Sequence, residues 1–171
     1  YMNLEKAKLE FIKYTQNYDL ENENIQRKQL HSLRVMDISK QIAKGLKLGQ
    51  EEIDLATLIG LLHDIARFEQ YTQYNTFKDL KSVDHGDLGA EILGQEIRKY
   101  IETNEYDEII IKAVKYHNKF KIHKFQEEFF SKQEKDLLNK ICSKLKELNY
   151  KPVLREYKES EYEHPNETYS K

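Results

Sequence analysis

The sequence predicts an all-α fold, a single-domain helical bundle of about six helices. Its 171 residues correspond to one globular domain of ordinary size. The two prolines are Pro152 and Pro165, so residues 2–151 contain no helix-breaking ring. Alternating strand-like runs bounded by turn dipeptides are absent from the sequence. A helical bundle is therefore the simplest solution.

Apolar residues recur at helical spacing in six segments. The predicted helices span residues 3–17, 22–46, 50–65, 85–101, 105–118 and 131–149. Gly49 follows the second helix and is expected to adopt the left-handed conformation that satisfies terminal carbonyl groups. Tyr71, Tyr74 and Phe77 follow the third helix in a predicted loop, where they either stack a base or pack over the core.

The composition divides the chain into two parts. We place the helical domain at residues 2–149 and a polar C-terminal tail at residues 150–171. The tail contains both prolines and is rich in glutamate. It is therefore expected to be extended or loosely docked.

Charge and cysteine content exclude several classes of function. The 28 Lys and Arg residues nearly balance the 30 Asp and Glu residues, and a net charge of -2 gives no electrostatic basis for general nucleic-acid binding. The lone Cys142 excludes an intramolecular disulfide and multi-cysteine zinc sites, and it fits a reducing cytoplasm. No apolar stretch approaches the roughly 20 residues of a membrane helix, and no secretory signal is recognisable. We therefore expect a cytoplasmic protein that does not bind membranes.

The common ATP-binding, dinucleotide-binding and serine-hydrolase motifs are also absent from the sequence. There is no glycine-rich phosphate loop ending in Lys-Ser or Lys-Thr, and no dinucleotide fingerprint. No serine lies in a strained elbow motif. An ATP-driven, NAD-dependent or Ser-His-Asp mechanism therefore has no support.

Four of the six histidines lie on the apolar stripes of four different predicted helices. On the second helix, His31 is followed by Arg34, Val35, Ile38 and Ile42 at offsets of 3, 4, 7 and 11. We therefore expect His31 to point inward, and Arg34 on the same stripe to pair with a buried carboxylate.

The third predicted helix carries an ionisable pair. His63 follows Leu58, Ile59 and Leu62 on the most hydrophobic segment of the chain, and Asp64 is next to it. This helix must be buried, so the carboxylate of Asp64 needs a partner.

Two further histidines are expected to face the core. His85 begins a stripe that continues through Leu88 and Ile92, and His117 closes a stripe that contains Val114. Any one such histidine is most simply a hydrogen-bonded core residue. Four of them together with a buried carboxylate favour a divalent cation, because imidazole is the commonest metal ligand at neutral pH. The remaining two, at positions 123 and 164, are in polar surroundings and are interpreted as surface residues.

The order and spacing of these histidines and Asp64 match a known sequence pattern. His31, followed by the doublet His63-Asp64 within residues 61–68, resembles the HD-domain metal-dependent phosphohydrolase superfamily. The resemblance extends from about residue 25 to about residue 141, and it includes the segments 84–90 and 116–118. The expected fold is therefore HD-domain-like.

Members of this superfamily are helical and bind a divalent cation through a first His, the His-Asp doublet and a later Asp. A subgroup with two further histidines often holds two metals bridged by the doublet Asp. The resemblance therefore implies a first metal site at His31, His63 and Asp64, which His85 and His117 extend to a second. It implies one or two ions, without distinguishing among Fe, Mn, Zn, Ni, Co and Mg.

One position departs from the family pattern. The last metal-binding Asp of the family is expected within residues 139–148, and no Asp occurs there. Asp136 lies one to two turns too early, and Glu147 is a different residue type. A natural loss of this ligand, an altered or incomplete C-terminal sequence, and a different alignment all remain open. The chain could therefore bind metal and yet hydrolyse poorly.

The resemblance implies hydrolysis of a phosphate ester by a metal-activated water, with a nucleotide or another small phosphorylated molecule as substrate. Asp64 is the expected bridging ligand and would also orient the attack. Arg67 is expected either to contact the phosphate with its fork of donors or to form a structural salt bridge. Asp84 and Asp87 are expected to cap a helix, and they could also support the ligating histidines.

Two other hypotheses remain open at this point. The first is a catalytically impaired metal- or nucleotide-binding regulatory module of the same fold. The second is a helical interaction domain whose histidines are only polar core groups. This last hypothesis predicts that chelation leaves stability unchanged, because a bound ion would stabilise the folded state. An oligomer is possible in each case.

Overall fold

A computed structural model describes residues 2–119 of the chain. This part is all-helical and contains no strand. Its helices are α1 (Leu4–Thr15), α2 (Glu23–Gly45), α3 (Gln50–Leu62), α4 (Ala66–Tyr74), α5 (His85–Glu96) and α6 (Asp107–Tyr116). Single turns of 3-10 helix lie at Asp79–Lys81 and Ile97–Lys99. The predicted all-α class is therefore confirmed, whereas the predicted helix at 131–149 and the tail from 150 lie outside the described residues.

Side-chain caps explain where several helices begin. The Asn3 side chain accepts a hydrogen bond from the Lys6 amide, and Asn22 caps α2 in the same way. At the N-terminus of α5, the Asp84 side chain accepts a hydrogen bond from the Asp87 amide at 2.9 Å. The capping role expected for Asp84 is thus confirmed, and Asp87 is exposed.

The predicted loop after the His-Asp doublet is wrong in part. Residues 66–74 form α4, so Tyr71 and Tyr74 lie on a helix and only Phe77 follows it. The side chain of Phe68 on α4 is fully buried, and its ring meets that of Phe11 edge to face at a centroid distance of 5.9 Å. Packing of this one aromatic residue stabilises a segment whose own sequence is strongly polar.

The turn between α2 and α3 also differs from the prediction. Lys47, with a φ of 56°, takes the left-handed conformation there. Gly49 has a φ of -62° and is the N-cap of α3, where its amide donates to the Glu52 carboxylate at 2.9 Å. The left-handed residue therefore lies two positions before the glycine, α2 ends at Gly45, and Gly49 serves the next helix instead.

The buried face of α2 is rotated from the predicted one. Ile38 and Ile42 are each 44% exposed, and Arg34 is exposed as well. Small side chains decide the orientation, because a Cβ added at Gly60 of α3 would lie 2.5 Å from Oγ of Ser39 and 3.0 Å from the carbonyl oxygen of Val35. This close approach fixes which side of α2 faces α3. The residues of α2 that are buried are Ile25, Ser32, Met36 and Ala43.

Helices α5 and α6 approach each other closely through two glycines. A Cβ at Gly86 would clash with the carbonyl oxygen of Lys115, and one at Gly89 would lie 2.8 Å from Cγ1 of Val114. Only glycine permits this separation. The approach brings the start of α5 next to the end of α6.

The core lies where α3, α5 and α6 meet the aromatic residues of α1 and α4. Its fully buried side chains include Phe11, Leu58, Leu61, Leu62, Ile65, Phe68, Leu93, Ile110 and Val114. Among the described residues, no helix combines the length and the apolar character that a membrane span requires.

Candidate metal centre

The five predicted metal ligands are brought together by four segments of the fold. His31 comes from α2, His63 and Asp64 directly follow α3, His85 is the first residue of α5, and His117 directly follows α6. They form two groups that share Asp64. The close α2–α3 and α5–α6 packing described above therefore positions both groups.

The first cluster consists of His31, His63 and the Oδ2 atom of Asp64. The two Nε2 atoms lie 3.2 Å apart. Oδ2 of Asp64 lies 3.7 Å from Nε2 of His31 and 3.5 Å from Nε2 of His63. Three potential ligand atoms therefore form a nearly equilateral triangle.

The second cluster consists of His85, His117 and the Oδ1 atom of Asp64. Its Nε2 atoms lie 3.0 Å apart, and Oδ1 lies 3.6 Å from His85 and 3.4 Å from His117. Each oxygen of the carboxylate thus belongs to a different cluster. This is the arrangement expected of a bridging ligand.

The spacing of these atoms fits a small divalent cation. Two ligands about 2.1 Å from one ion lie about 3.0 Å apart at a right angle and about 3.4 Å apart at the tetrahedral angle. The separations in both clusters, from 3.0 to 3.7 Å, are close to these values. Imidazole and carboxylate donors also suit such ions chemically.

The protonation of the imidazole rings gives an independent argument. Nδ1 of His63 lies 2.8 Å from the carbonyl oxygen of Gly60, and Nδ1 of His117 lies 2.6 Å from that of Val114. A carbonyl oxygen only accepts, so each Nδ1 carries the hydrogen. In the neutral ring the lone pair is then on Nε2, which faces the cluster.

His85 is fixed in the same tautomer by a carboxylate. Its Nδ1 lies 2.6 Å from Oδ2 of Asp79. Burial lowers the pKa of His85, although Asp79 opposes this effect, and burial together with Lys28 lowers the pKa of His31. These two rings are therefore neutral near pH 7. When both rings are neutral, the lone pairs of His85 and His117 face each other at 3.0 Å, an arrangement that repels unless a cation lies between them.

Asp64 is anionic despite its burial. Burial acts to raise the pKa of its carboxyl group, but the adjacent imidazoles of His117 and His63 and the charge of Lys28 outweigh it, so the pKa lies well below 3.8. Its side chain is only 6% exposed. A buried anion surrounded by imidazoles is a strong site for a cation.

Sequence reasoning did not single out Lys28. It lies on α2 one turn before His31, and its Nζ atom donates to Oδ2 of Asp64 at 3.1 Å. Nζ also lies 5.2 Å from the centroid of the Phe77 ring. In the sequence Lys28 is one of many lysines on a charged helix face, and only the three-dimensional contact distinguishes it.

Arg67 lies beside the centre but is already engaged. One of its terminal nitrogens, Nη1, donates to the carbonyl oxygen of Phe77 at 2.7 Å and to Oδ1 of Asp79 at 3.1 Å. Its Nε atom lies 3.5 Å from Oδ1 of Asp64, and the side chain is 11% exposed. This geometry favours the structural salt bridge, whereas contact between Arg67 and a phosphate stays a prediction.

Asp79 is the second residue that sequence reasoning missed. It holds His85 through Oδ2, and its Oδ1 accepts from Arg67 and from Nε2 of the fully buried Gln70 at 2.9 Å. Burial alone would raise its pKa, but His85, Gln70 and Arg67 together lower it to about 2. It lies in a 3-10 turn without periodicity, so no sequence pattern marked it.

The five residues differ in their access to solvent. The side chains of His31 and His117 are 45% and 21% exposed, whereas those of His85 and Asp64 are each 6% exposed. The expectation that His31 and His117 face the core is therefore wrong for His31 and only partly met by His117. Solvent therefore reaches His31 and, to a smaller extent, His117, whereas the shared carboxylate is buried.

The aromatic residues after the doublet do not form an open platform. Tyr71 and Phe77 contact each other at a centroid distance of 4.7 Å, and the Tyr71 hydroxyl accepts from Nδ2 of Asn24 at 2.7 Å. Packing is thus the observed role of Tyr71 and Phe77, whereas Tyr74 is 43% exposed. His123 and His164, and the segment 139–148 that lacks the expected Asp, lie outside the described residues.

Comparison with known proteins agrees with this geometry. The family model of the HD domain matches residues 30–164, well over half of the chain. The chain belongs to the HD domain family, a superfamily of metal-dependent hydrolases that bind divalent metals. Searches of curated proteins and of solved structures find no significant match.

Proposed function

We propose that this protein is a divalent-metal-dependent phosphohydrolase that cleaves a phosphate ester of a nucleotide or another small phosphorylated molecule. The observation that carries the proposal is the pair of clusters that share Asp64, in which the imidazole Nε2 atoms lie close to one another and to the carboxylate. His31, His63 and Asp64 would hold one cation. His85, His117 and Asp64 would hold another.

The chain's own residues prepare the centre for this chemistry. The carbonyl oxygens of Gly60 and Val114 orient the rings of His63 and His117, and Asp79 orients that of His85. A divalent cation bound there supplies a nucleophile by lowering the pKa of a water molecule, and it neutralises phosphoryl oxygens. These outer contacts would hold each ring with its Nε2 atom directed at a bound ion.

A small anionic substrate suits the exposure and charge of the centre. His31 and His117 are accessible to solvent, and the cation of Lys28 lies next to the buried carboxylate. Cations held at a partly exposed centre attract phosphate groups. The lone Cys142 supports the cytoplasm as the compartment in which the protein acts.

The alternative function is a regulatory module of the same fold that binds metal or nucleotide without turnover. One observation favours it: residues 139–148 contain no Asp at the position where the family carries its last ligand. Metal binding is compatible with both functions and therefore does not separate them. Turnover does.

The experiment has two stages. Elemental analysis of the purified protein by inductively coupled plasma mass spectrometry is run beside His63→Ala and Asp64→Ala. Asp37→Asn is the control, since it removes an exposed carboxylate from α2. Metal that is lost in the first two variants and kept in the third supports the centre. Protein that stays metal-free after incubation with iron, manganese and zinc contradicts it.

The metal-loaded protein is then assayed for phosphate release from a panel of nucleotides and from a generic aryl phosphate. Release that depends on Asp64 supports the phosphohydrolase. Stoichiometric metal without release from any compound supports the regulatory module. Folding that is indifferent to both metal and chelator would instead support a helical interaction domain.

A further inference from the structure

We propose that Lys28 is a competing cation at the first cluster, so that the two metal positions are unequal and the second cluster fills before the first. This inference rests on the metal centre proposed above and concerns the order in which it is loaded.

The ammonium group of Lys28 and a metal ion at the first cluster require the same oxygen. Nζ lies 3.1 Å from Oδ2 of Asp64, and Oδ2 is the carboxylate oxygen next to His31 and His63. The Lys28 side chain is 22% exposed, so solvent only partly screens its charge. A cation entering the first cluster must displace this ammonium group or tolerate it nearby, and either event weakens binding.

The second cluster is not opposed in this way. Arg67 approaches Oδ1 of Asp64 with Nε at 3.5 Å, but its guanidinium group is already paired with Asp79 at 3.1 Å. It also donates to Gln70 at 2.8 Å and to the Phe77 carbonyl oxygen at 2.7 Å. Its charge is therefore compensated locally by a carboxylate that is not a proposed ligand.

The burial and orientation of the histidines also favour metal binding at the second cluster over the first. His85 is buried and hydrogen-bonded to the Asp79 carboxylate, which raises the basicity of the ring as a ligand. The His31 side chain is 45% exposed. A fixed, buried donor loses less freedom on binding an ion than an accessible one. Lys28 and the exposure of His31 thus both make the first cluster the weaker position.

The experiment measures Mn²⁺ affinity in two backgrounds that isolate the clusters. His117→Ala disables the second cluster and leaves the first, and His31→Ala does the reverse. Each background is combined with Lys28→Met, which removes the charge but keeps a long side chain. Lys28→Arg keeps the charge. Free and bound Mn²⁺ are quantified by electron paramagnetic resonance, and far-ultraviolet circular dichroism verifies that each variant is folded.

Lys44→Met is the matched control. It removes an exposed lysine from the same helix, about 24 Å from Lys28 along the helix axis. The control therefore reports the effect of net charge alone.

Lys28→Met is expected to strengthen Mn²⁺ binding about tenfold or more in the His117→Ala background. The gain in the His31→Ala background is expected to be smaller, since the hydrogen bond of Lys28 is to Oδ2, the oxygen of the first cluster. Lys28→Arg and Lys44→Met should leave both affinities near those of their parents. In the unmodified protein, one ion should bind more tightly than the other.

Each other outcome contradicts a particular statement. Equal gains in the two backgrounds, or no gain at the first cluster, overturn the role of Lys28 while the metal centre stands. Two equally tight ions in the unmodified protein overturn the loading order. Absence of Mn²⁺ binding in the unmodified protein and in Lys28→Met overturns the proposed function, and this inference fails with it.

Discussion

Oδ2 of Asp79 lies 2.6 Å from Nδ1 of His85, and this contact joins a 3-10 turn to the first residue of α5. The carboxylate is held from its other side by Arg67 and Gln70. His85 therefore presents Nε2 to the second cluster in one tautomer and one orientation. A side chain outside the two clusters thus determines the orientation of one candidate ligand.

Asp79→Asn is expected to weaken metal binding at the second cluster by about 10- to 100-fold, the usual effect of losing such an outer contact. The amide oxygen can still accept from Nδ1 of His85, but the negative charge disappears and the amide NH2 group then faces the donors of Arg67 and Gln70. The measurement is Mn²⁺ affinity in the His31→Ala background. Asp37→Asn, which removes an exposed carboxylate, is the control. Unchanged affinity in Asp79→Asn would show that His85 needs no orienting carboxylate.

Gly86→Ala is expected to separate α5 from α6. The added methyl group would meet the carbonyl oxygen of Lys115 and lie 2.6 Å from Oδ1 of Asn118. We expect a loss of about 1 to 3 kcal/mol in the free energy of unfolding, typical of overpacking. Because His85 immediately precedes Gly86, the second cluster should also lose metal affinity. Denaturant unfolding and Mn²⁺ titration measure the two effects.

Gly94→Ala is the control for that substitution, since a Cβ at Gly94 meets nothing within 4 Å. It lies on the same helix, where alanine has the higher helix propensity. We therefore expect Gly94→Ala to stabilise the protein by about 0.5 to 1 kcal/mol. If both glycine substitutions had the same effect, the α5–α6 approach would not be what positions His85.

Local sequence patterns were sufficient for most helices but not for all. Five predicted helices agree with α1, α2, α3, α5 and α6 to within a few residues. Helix α4 was missed because its residues are mainly polar, and burial of Phe68 against Phe11 stabilises it. Contact between residues 57 positions apart cannot be read from a local period.

The orientation of α2 shows a second limit of sequence patterns. The stripe through Ile38 and Ile42 is the more hydrophobic face, yet it is the more exposed one. Contact between Gly60 and Ser39 selects the other face, because the helices can approach most closely there. Hydrophobicity predicted that α2 is a helix, and steric fit decided its rotation.

The candidate site likewise contains residues that the sequence predicted and residues that it did not. The apolar context of the His63-Asp64 doublet, together with three more histidines on helical stripes, predicted the residues that converge in space. Lys28 and Asp79 were missed, since each acts through a single contact formed between distant segments. A lysine on a charged helix and an aspartate in a turn have no distinguishing sequence context.

Alkaline pH should destabilise the protein through the half-buried side chain of Tyr18. Burial raises the pKa of Tyr18 to about 12, and its hydroxyl donates to the Glu69 carboxylate at 3.0 Å. The folded state therefore keeps the proton between pH 10 and 12, whereas the unfolded state releases it. The stabilisation that results from the raised pKa of Tyr18 is fully present below pH 10 and is lost as the pH rises to about 12.

Tyr18→Phe tests this pH dependence. Between pH 10 and 12, we expect the free energy of unfolding to fall by about 1 to 2 kcal/mol less in the variant than in the unmodified protein. This range allows for solvent screening. Urea unfolding at intervals across that range is the measurement. Tyr74→Phe is the control, since Tyr74 is 43% exposed. Parallel pH profiles for Tyr18→Phe and the unmodified protein would exclude Tyr18 as a source of the alkaline loss.

Metal binding should raise thermal stability, and the rise should require Asp64. An ion that binds only the folded state stabilises it by about 2.7 kcal/mol at a concentration 100 times its Kd. For a chain of this length, this corresponds to a Tm increase of about 5 to 11 °C. Asp64 supplies one oxygen to each cluster, so Asp64→Asn should abolish most of the increase. The comparison is the difference in Tm between Mn²⁺ and chelator for each protein, which separates metal binding from any change in intrinsic stability. An equal Mn²⁺-induced increase in Asp64→Asn would place the stabilising ion elsewhere. No increase in the unmodified protein would instead favour the view that the histidines are only polar core groups.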